Sequence, residues 1–326
     1  RDAPAEHRHG RREALRAALS GSSSRLEALA RSRRFCVTSE VVPPRSASAE
    51  PVERQARELV GYADAVNVTD NPTASAHMSP VAGAAIVARS GIEPTLQLTV
   101  RDRNRLAIAA DVLGAWALGA RNLLCLTGDP LSVGDQPDAA AVHDIGLLDL
   151  VALARTLREE GRLPSGAEIE DAPRYFVGVA DSPLVETYDP ARLEVKLDAG
   201  AGFVMTQIAY DLDRLSAWAD VVRPRGVLER AAVFVGVAPL RSVKQARYMN
   251  QHLPGVHIPD DLLRALEDAG PEAEALGTAQ CVEIVSGLQE MQGISGVHVM
   301  GLGREEAVRH VIERAGLLPR PAATPA

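Results

Sequence analysis

Aromatic residues make up only 3% of this 326-residue chain, so its core must be built mainly from Ala, Val and Leu. Cysteine is also sparse. Cys36, Cys125 and Cys281 lie far apart, and no pair has the short spacing of a zinc or redox motif. Cys36 and Cys125 fall inside apolar runs and read as small buried hydrophobes. No disulfide framework is expected, which suits a reducing, cytoplasmic compartment. Arg1 to Arg12 is charged and lacks the apolar core of a secretory signal. No uninterrupted apolar run is long enough to span a membrane. Lys and Arg are scattered and the formal charge is -8, so no nucleic-acid footprint is expected.

Several chemical signatures are missing too. Gly301-Leu302-Gly303 lacks the third glycine of G-x-G-x-x-G, and no G-x-x-x-x-G-K-[ST], H-E-x-x-H or G-x-S-x-G occurs. His77, His143, His252, His257, His298 and His310 form no evident ligand set, so each is expected to be structural or exposed. His7 and His9 belong to a polar stretch, Arg1 to Gly10, that reads as an exposed arm rather than a metal site.

What is present is an alternation. Short β-rich runs occur at Phe35–Glu40, Ala65–Thr69, Pro94–Thr99, Asn122–Leu126, Tyr175–Val179, Phe203–Gln207, Ala232–Val237 and Gly296–Met300. Between them lie Ala- and Leu-rich stretches of helical period, such as Val52–Tyr62, Arg105–Leu118, Leu147–Glu160, Pro190–Ala199 and Val243–Gln251. Hydrophobic residues are 46% of the chain, enough for a sizeable core. Eight strands, each followed by a helix, predict an α/β fold, a single (β/α)8 TIM barrel. An open doubly wound sheet is the alternative, because periodicity does not show closure. Ala269–Gln292 predicts an extra helix before the last strand. The expected organisation is an N-terminal arm and helix over 1–34, a barrel over 35–317 and a disordered proline-rich tail over 318–326. Asp129–Asp144 and Gly161–Pro173 read as mobile loops over one mouth.

Barrel active sites form at the carboxyl ends of the strands. That rule selects Glu40, Thr69, Asp70, Gln97, Thr127, Asp129, Asp181, Gln207 and Met300. Glu40 ends a largely apolar strand, where burial would raise its pKa and let it act as a general acid. Its other reading is a Glu paired with an Arg such as Arg45. Gly128 would let the backbone approach a ligand that Asp129 could bind, or the two simply form a tight turn with Pro130. Gln207 could read the edge of a heterocycle or bond a helix entry. Asp211 is expected to cap the following helix. Arg101-Asp102-Arg103-Asn104-Arg105 could meet a phosphate or a glutamate tail, or form internal ion pairs.

These motifs together resemble the methylenetetrahydrofolate reductase family over about Phe35–Leu317. Glu40-Val41-Val42-Pro43-Pro44 resembles its E-F-F-P-P, and Val66-Asn67-Val68-Thr69 its strand ending in Thr. Leu98-Thr99-Val100-Arg101-Asp102-Arg103-Asn104-Arg105 is similar to L-T-C-R-D-R-N-R. Leu126-Thr127-Gly128-Asp129-Pro130 is similar to L-T-G-D-P, and Lys196-Leu197-Asp198-Ala199-Gly200-Ala201 with Thr206-Gln207 to K-x-x-A-G-A and T-Q. The resemblance implies FAD in the barrel mouth, NADH or NADPH as hydride donor, and methylenetetrahydrofolate as acceptor. It implies that Glu40 protonates the pterin as its ring opens to an iminium, and that Asp129 sits by flavin and pterin as a second catalytic group. Gln207 would hold the pterin edge. Thr69, Gln97, Thr127, Gly128, Asp129 and Lys196 would form the cofactor site. Three segments depart from the pattern. Val41 and Val42 replace two Phe, Val243 in Arg241-Ser242-Val243-Lys244-Gln245 replaces another, and Asp181 brings a charge that would oppose an anionic ligand. The alternatives are a flavin-independent folate-binding paralogue acting on another one-carbon adduct, or a non-catalytic partner in a one-carbon complex. A homo-oligomer is also compatible with the resemblance.

Overall fold

The computed structural model describes residues 22–321. The expected arm, with His7 and His9, and residues 322–326 lie outside the described residues. Eight parallel strands close into a barrel in strict chain order. They are β1 Cys36–Val41, β2 Ala65–Val68, β3 Pro94–Thr99, β4 Asn122–Leu126, β5 Phe176–Asp181, β6 Phe203–Ile208, β7 Ala232–Val237 and β8 Gly296–Val299. The ring closes where Cys36 stands opposite Gly296 and Thr38 opposite His298. β5 extends beyond the expected Val179 because Ala180 and Asp181 still pair with Met205 and Thr206.

The helices are α1 Arg25–Arg31, α2 Glu50–Leu59, α3 Pro80–Arg89, α4 Arg105–Ala117, α5 Leu147–Glu160, α6 Ala191–Ala199, α7 Leu212–Val222, α8 Val227–Arg230, α9 Val243–His252, α10 Asp260–Asp268, α11 Ala273–Glu290 and α12 Glu305–Arg314. The extra helix expected before the last strand is α11, and α10 accompanies it. Among the described residues no helix is long and apolar enough to cross a membrane. The three cysteines are free and buried, as their apolar surroundings suggested.

Strand alternation divides the core in two. Outward residues such as Val37, Val66, Leu98, Val177 and Val235 pack against the helices. Inward residues Cys36, Ala65, Leu124, Phe176, Phe203 and Phe234 fill the lower barrel. Phe176 and Phe203 have ring centroids 4.9 Å apart, and Phe203 and Phe234 5.6 Å apart. Three of the four phenylalanines in the chain are therefore concentrated here. Gly178 makes the room, since a Cβ there would lie 2.1 Å from the Phe203 ring.

Helix α1 closes the floor. Ser24 caps it by accepting from the Glu27 N–H at 2.9 Å, and Glu93 accepts from the N–H groups of Arg25 (2.7 Å) and Leu26 (3.1 Å). Leu26 and Leu29 then seal the aromatic layer. Glu27 is itself buried. Burial pushes its pKa up, but hydrogen bonds from Arg158 and the Ser23 N–H, with the charges of Arg158 and Arg31, hold it below the ordinary value. Buried Asp64 accepts from the Val37 N–H at 2.8 Å, from Arg25 at 2.9 Å and from Arg320 at 2.5 Å. The portion of the expected tail that is described, to Pro321, is thus anchored by Arg320.

One expectation about the loops is corrected. Residues 129–144 follow β4 and lie at the carboxyl-end mouth, but residues 161–173 join α5 to β5 and lie at the opposite end. Both stretches are polar, and polarity does not say which end of a barrel a loop occupies.

Replacing Gly178 by Ala should force the Phe stack apart and destabilise the fold by about 1–3 kcal/mol. A denaturant midpoint indistinguishable from the parent would show that the stack relaxes freely.

Candidate active site

Side chains at the carboxyl ends inherit their direction from strand parity. Cys36, Thr38 and Glu40 share one face of β1, and Glu40 stands opposite Asn67 of β2. Because Cys36 belongs to the barrel interior, Glu40 points inward at the mouth. The same parity turns Thr69 and Gln97 inward from β2 and β3. Gln207 lies where the β6 register against β7 shifts, between inward Met205 and outward Ile208.

Glu40 is partly buried and meets no hydrogen-bond or ionic partner among the described residues. Arg45, its alternative partner, pairs instead with Asp135. Burial, and then the neighbouring Glu305 carboxylate at the start of α12, push the Glu40 pKa up to about 7. Below Glu40, the Thr38 hydroxyl lies 3.0 Å from His298 Nδ1. Burial lowers the His298 pKa to about 3, so this histidine is neutral and structural.

The opposite wall begins with β2 and β3. Among the described residues, the buried Thr69 hydroxyl has no hydrogen-bond partner and the half-buried Gln97 makes no side-chain hydrogen bond. Asp70 is fully engaged: it accepts from Thr99 N–H at 2.8 Å and Thr99 Oγ1 at 3.0 Å, and from Arg103 at 2.6 Å. The basic run is consumed the same way, with Arg101 on Asp102, Arg103 on Asp70 and Asp111, and Arg105 on Asp144. Its internal ion-pair reading is the one realised.

After β4, Gly128 has φ +92°, and a Cβ would meet Arg101 at 3.0 Å and Thr99 at 3.2 Å. Exposed Asp129 accepts from the Thr73 N–H at 2.8 Å, while Arg101 Nη1 donates to its carbonyl at 3.0 Å. Thr73 and Ala74 both have φ +53°, a costly backbone for residues with side chains. Asp129 therefore latches a strained β2 loop. Thr127 is exposed beside it.

The β5 and β6 side differs from expectation. Asp181 points outward, where it accepts from Tyr188 Oη at 2.8 Å and lies 3.9 Å from Lys196 Nζ. Burial raises its pKa against those partners. Its charge is directed into the helix layer toward Lys196, away from the mouth. Lys196 donates to the Ala180 carbonyl at 2.7 Å from that same layer and stands apart from the inward group. Burial lowers its pKa against the pull of Asp181, with Arg192 adding to the depression. Gln207 donates to the Pro254 carbonyl at 3.1 Å and accepts from the Ile208 N–H at 2.9 Å. Asp211 caps α7 through the Arg214 N–H at 2.9 Å.

The roles of Pro254, Thr73 and Glu305 were not read from the sequence. Pro254-Gly255 signals a turn, but nothing local says that it folds back over β6. Among the described residues, no group of three or more His, Cys, Asp or Glu could hold a metal ion.

The fold and site define a (β/α)8 barrel whose mouth carries, among the described residues, an unpaired carboxyl beside uncommitted polar groups. The chain belongs to the methylenetetrahydrofolate reductase family, whose model matches residues 25–316. Methylenetetrahydrofolate reductase 1 of Schizosaccharomyces pombe is 29% identical over 239 residues, covering 70% of this chain and 36% of that protein. A Caenorhabditis elegans protein named probable methylenetetrahydrofolate reductase (NADPH) is 25% identical over 311 residues, covering 90% and 44%. The chain thus spans less than half the length of these two relatives. In fold it is similar to an uncharacterized Clostridium thermocellum protein described as binding two copies of 5-methyl-5,6,7,8-tetrahydrofolic acid. That match has a TM-score of 0.57 and 13% identity, and covers 86% of this chain and 93% of that one.

The raised Glu40 pKa has a stability consequence. The folded carboxyl keeps its proton where the unfolded chain has released it. Stability is therefore lost as pH rises from the ordinary carboxylate range through about 7. Glu40→Gln removes that loss. Its melting-temperature gain over the parent should be larger at about pH 8 than at about pH 5. An equal gain at both would assign the effect to packing.

Proposed function

We propose that this barrel reduces 5,10-methylenetetrahydrofolate to 5-methyltetrahydrofolate, with NADH or NADPH as donor, bound FAD as carrier and Glu40 as general acid. The observation that carries the reading is the inward Glu40 carboxyl, unpaired among the described residues, with its pKa raised to about 7 by burial. Family membership supports the substrate, the resemblance of the mouth motifs to that family supports the FAD, and the NADPH in one relative's name supports a nicotinamide donor.

The residues present fit a flavin. The orphaned Thr69 hydroxyl and the free amide of Gln97 offer hydrogen bonds, and the bare Gly128 backbone permits close approach. Thr127 and Asp129 extend the proposed cofactor contacts, and Lys196 would join them only by leaving the Ala180 carbonyl that it bonds in the helix layer. FAD, when bound, supplies the hydride relay between nicotinamide and folate.

The protein's own part is proton placement. Glu40, protonated below about pH 7, gives its proton to the bridging nitrogen of the folate ring, whose C–N bond opens to an iminium. That substrate cation then accepts hydride at its methylene carbon. Asp129 retains one carboxylate oxygen beyond its bond to Thr73, and its charge favours the cationic substrate. Gln207 holds the pterin edge by exchanging its bonds to Pro254 and Ile208 for bonds to the ring.

The purified protein should absorb in the near ultraviolet and the blue. Glu40→Gln should slow folate reduction about 100- to 10,000-fold while leaving flavin reduction by NAD(P)H unchanged. If both half-reactions survive equally, Glu40 is not the acid. A colourless protein that takes up no added FAD but binds folate would instead favour the flavin-independent paralogue.

A further inference from the structure

At the barrel's amino-terminal end, opposite Glu40, lies a cleft of about 770 Å³ between the turn after α1, the end of α5, α8 and the segment leading into β8. Seven arginines line it against three glutamates, in a chain whose formal charge is -8. Three of these arginines have carboxylate partners: Arg31 and Arg158 share Glu27, and Arg230 pairs with Asp198. Among the described residues the other four do not, and there Arg155 and Arg223 donate only to the main-chain carbonyls of Asp198 and Gln292, at 3.3 and 3.2 Å. Arg33 and Arg34 have no ion pair and no side-chain hydrogen bond among the described residues. Arg33 also occupies the left-handed position that ends α1, φ +53°, where glycine is the favoured residue. The helix cap therefore does not account for an arginine there.

Among the described residues these four guanidinium groups line the cleft without ion pairs, against the two unpaired carboxylates of Glu159 and Glu229, so the cleft keeps an excess of positive charge that an entering anion would offset. The volume lies in the range of small-molecule sites. Planar donor forks match phosphate oxygens two at a time, so a chain of phosphates could engage several arginines together.

We propose that this cleft binds a small molecule bearing a chain of phosphates, held by Arg33, Arg34, Arg155 and Arg223. The site is separate from the mouth and independent of the chemistry proposed there.

Calorimetric titration of the full chain with inorganic tripolyphosphate, and separately with ATP, tests this. Tripolyphosphate should bind at one site per chain, and Arg33→Ala/Arg34→Ala should weaken it about tenfold or more at an unchanged melting temperature. Arg223→Ala should weaken it independently. Glu40→Gln should bind it like the parent, separating this site from the mouth. ATP binding that exceeds tripolyphosphate binding and falls in the same variants would identify the source as a nucleotide; equal binding would identify the phosphate chain itself. No binding of tripolyphosphate, or parent-like binding by both arginine variants, overturns the proposal.

Discussion

Closing eight parallel strands into a ring forces every second side chain inward, and the properties of the molecule follow from which residues take those places. The lower interior receives three phenylalanine rings and needs glycine at 178 to admit them. The upper interior receives Glu40, Thr69 and Gln97, with Gln207 at the β6 register shift. The barrel is thus apolar and filled below, polar and incompletely bonded above. That gradient leaves a carboxyl unpaired among the described residues at the mouth, near the orphaned Thr69 hydroxyl.

The buried charges divide along the same axis. At the floor, Glu27 and Asp64 each receive two arginines, so their burial is offset by strong hydrogen bonds. Just outside the mouth, Asp70 is matched by Arg103 and the Thr99 donors. Glu40 has none of these. The contrast makes Glu40 distinctive: acidic groups are common in the structure, but elsewhere the buried ones acquire donors.

Much of this was legible in the chain. The β/α alternation gave eight strands within a few residues of their positions, because a two-residue period between helical periods survives even where aromatics are few. Glu40, Thr69 and Gln97 were readable because each stands on the inward parity of its strand near the carboxyl end, and Gln207 because it stands near the carboxyl end of β6. Asp181 and Lys196 were harder. Asp181 lies one parity step from the inward face, and a strand that continues two residues further than expected sends its charge into the helices. Contacts between distant loops left no local trace. The bond from Thr73 to Asp129 spans 56 residues and that from Gln207 to Pro254 spans 47, distances over which residue spacing carries no geometry.

Asp64 has a consequence beyond holding the floor. It receives Arg25, at the start of α1, and Arg320, near the end of the described chain, and Arg25 Nη2 also donates to the Pro321 carbonyl at 2.6 Å. The first helix and the last described segment therefore meet at one buried carboxylate. A short covalent bridge between them would leave the strand order of the ring unchanged, and the chain could be reopened at a polar surface loop. Circular permutation of this barrel would keep the mouth intact while changing which strand is synthesised first.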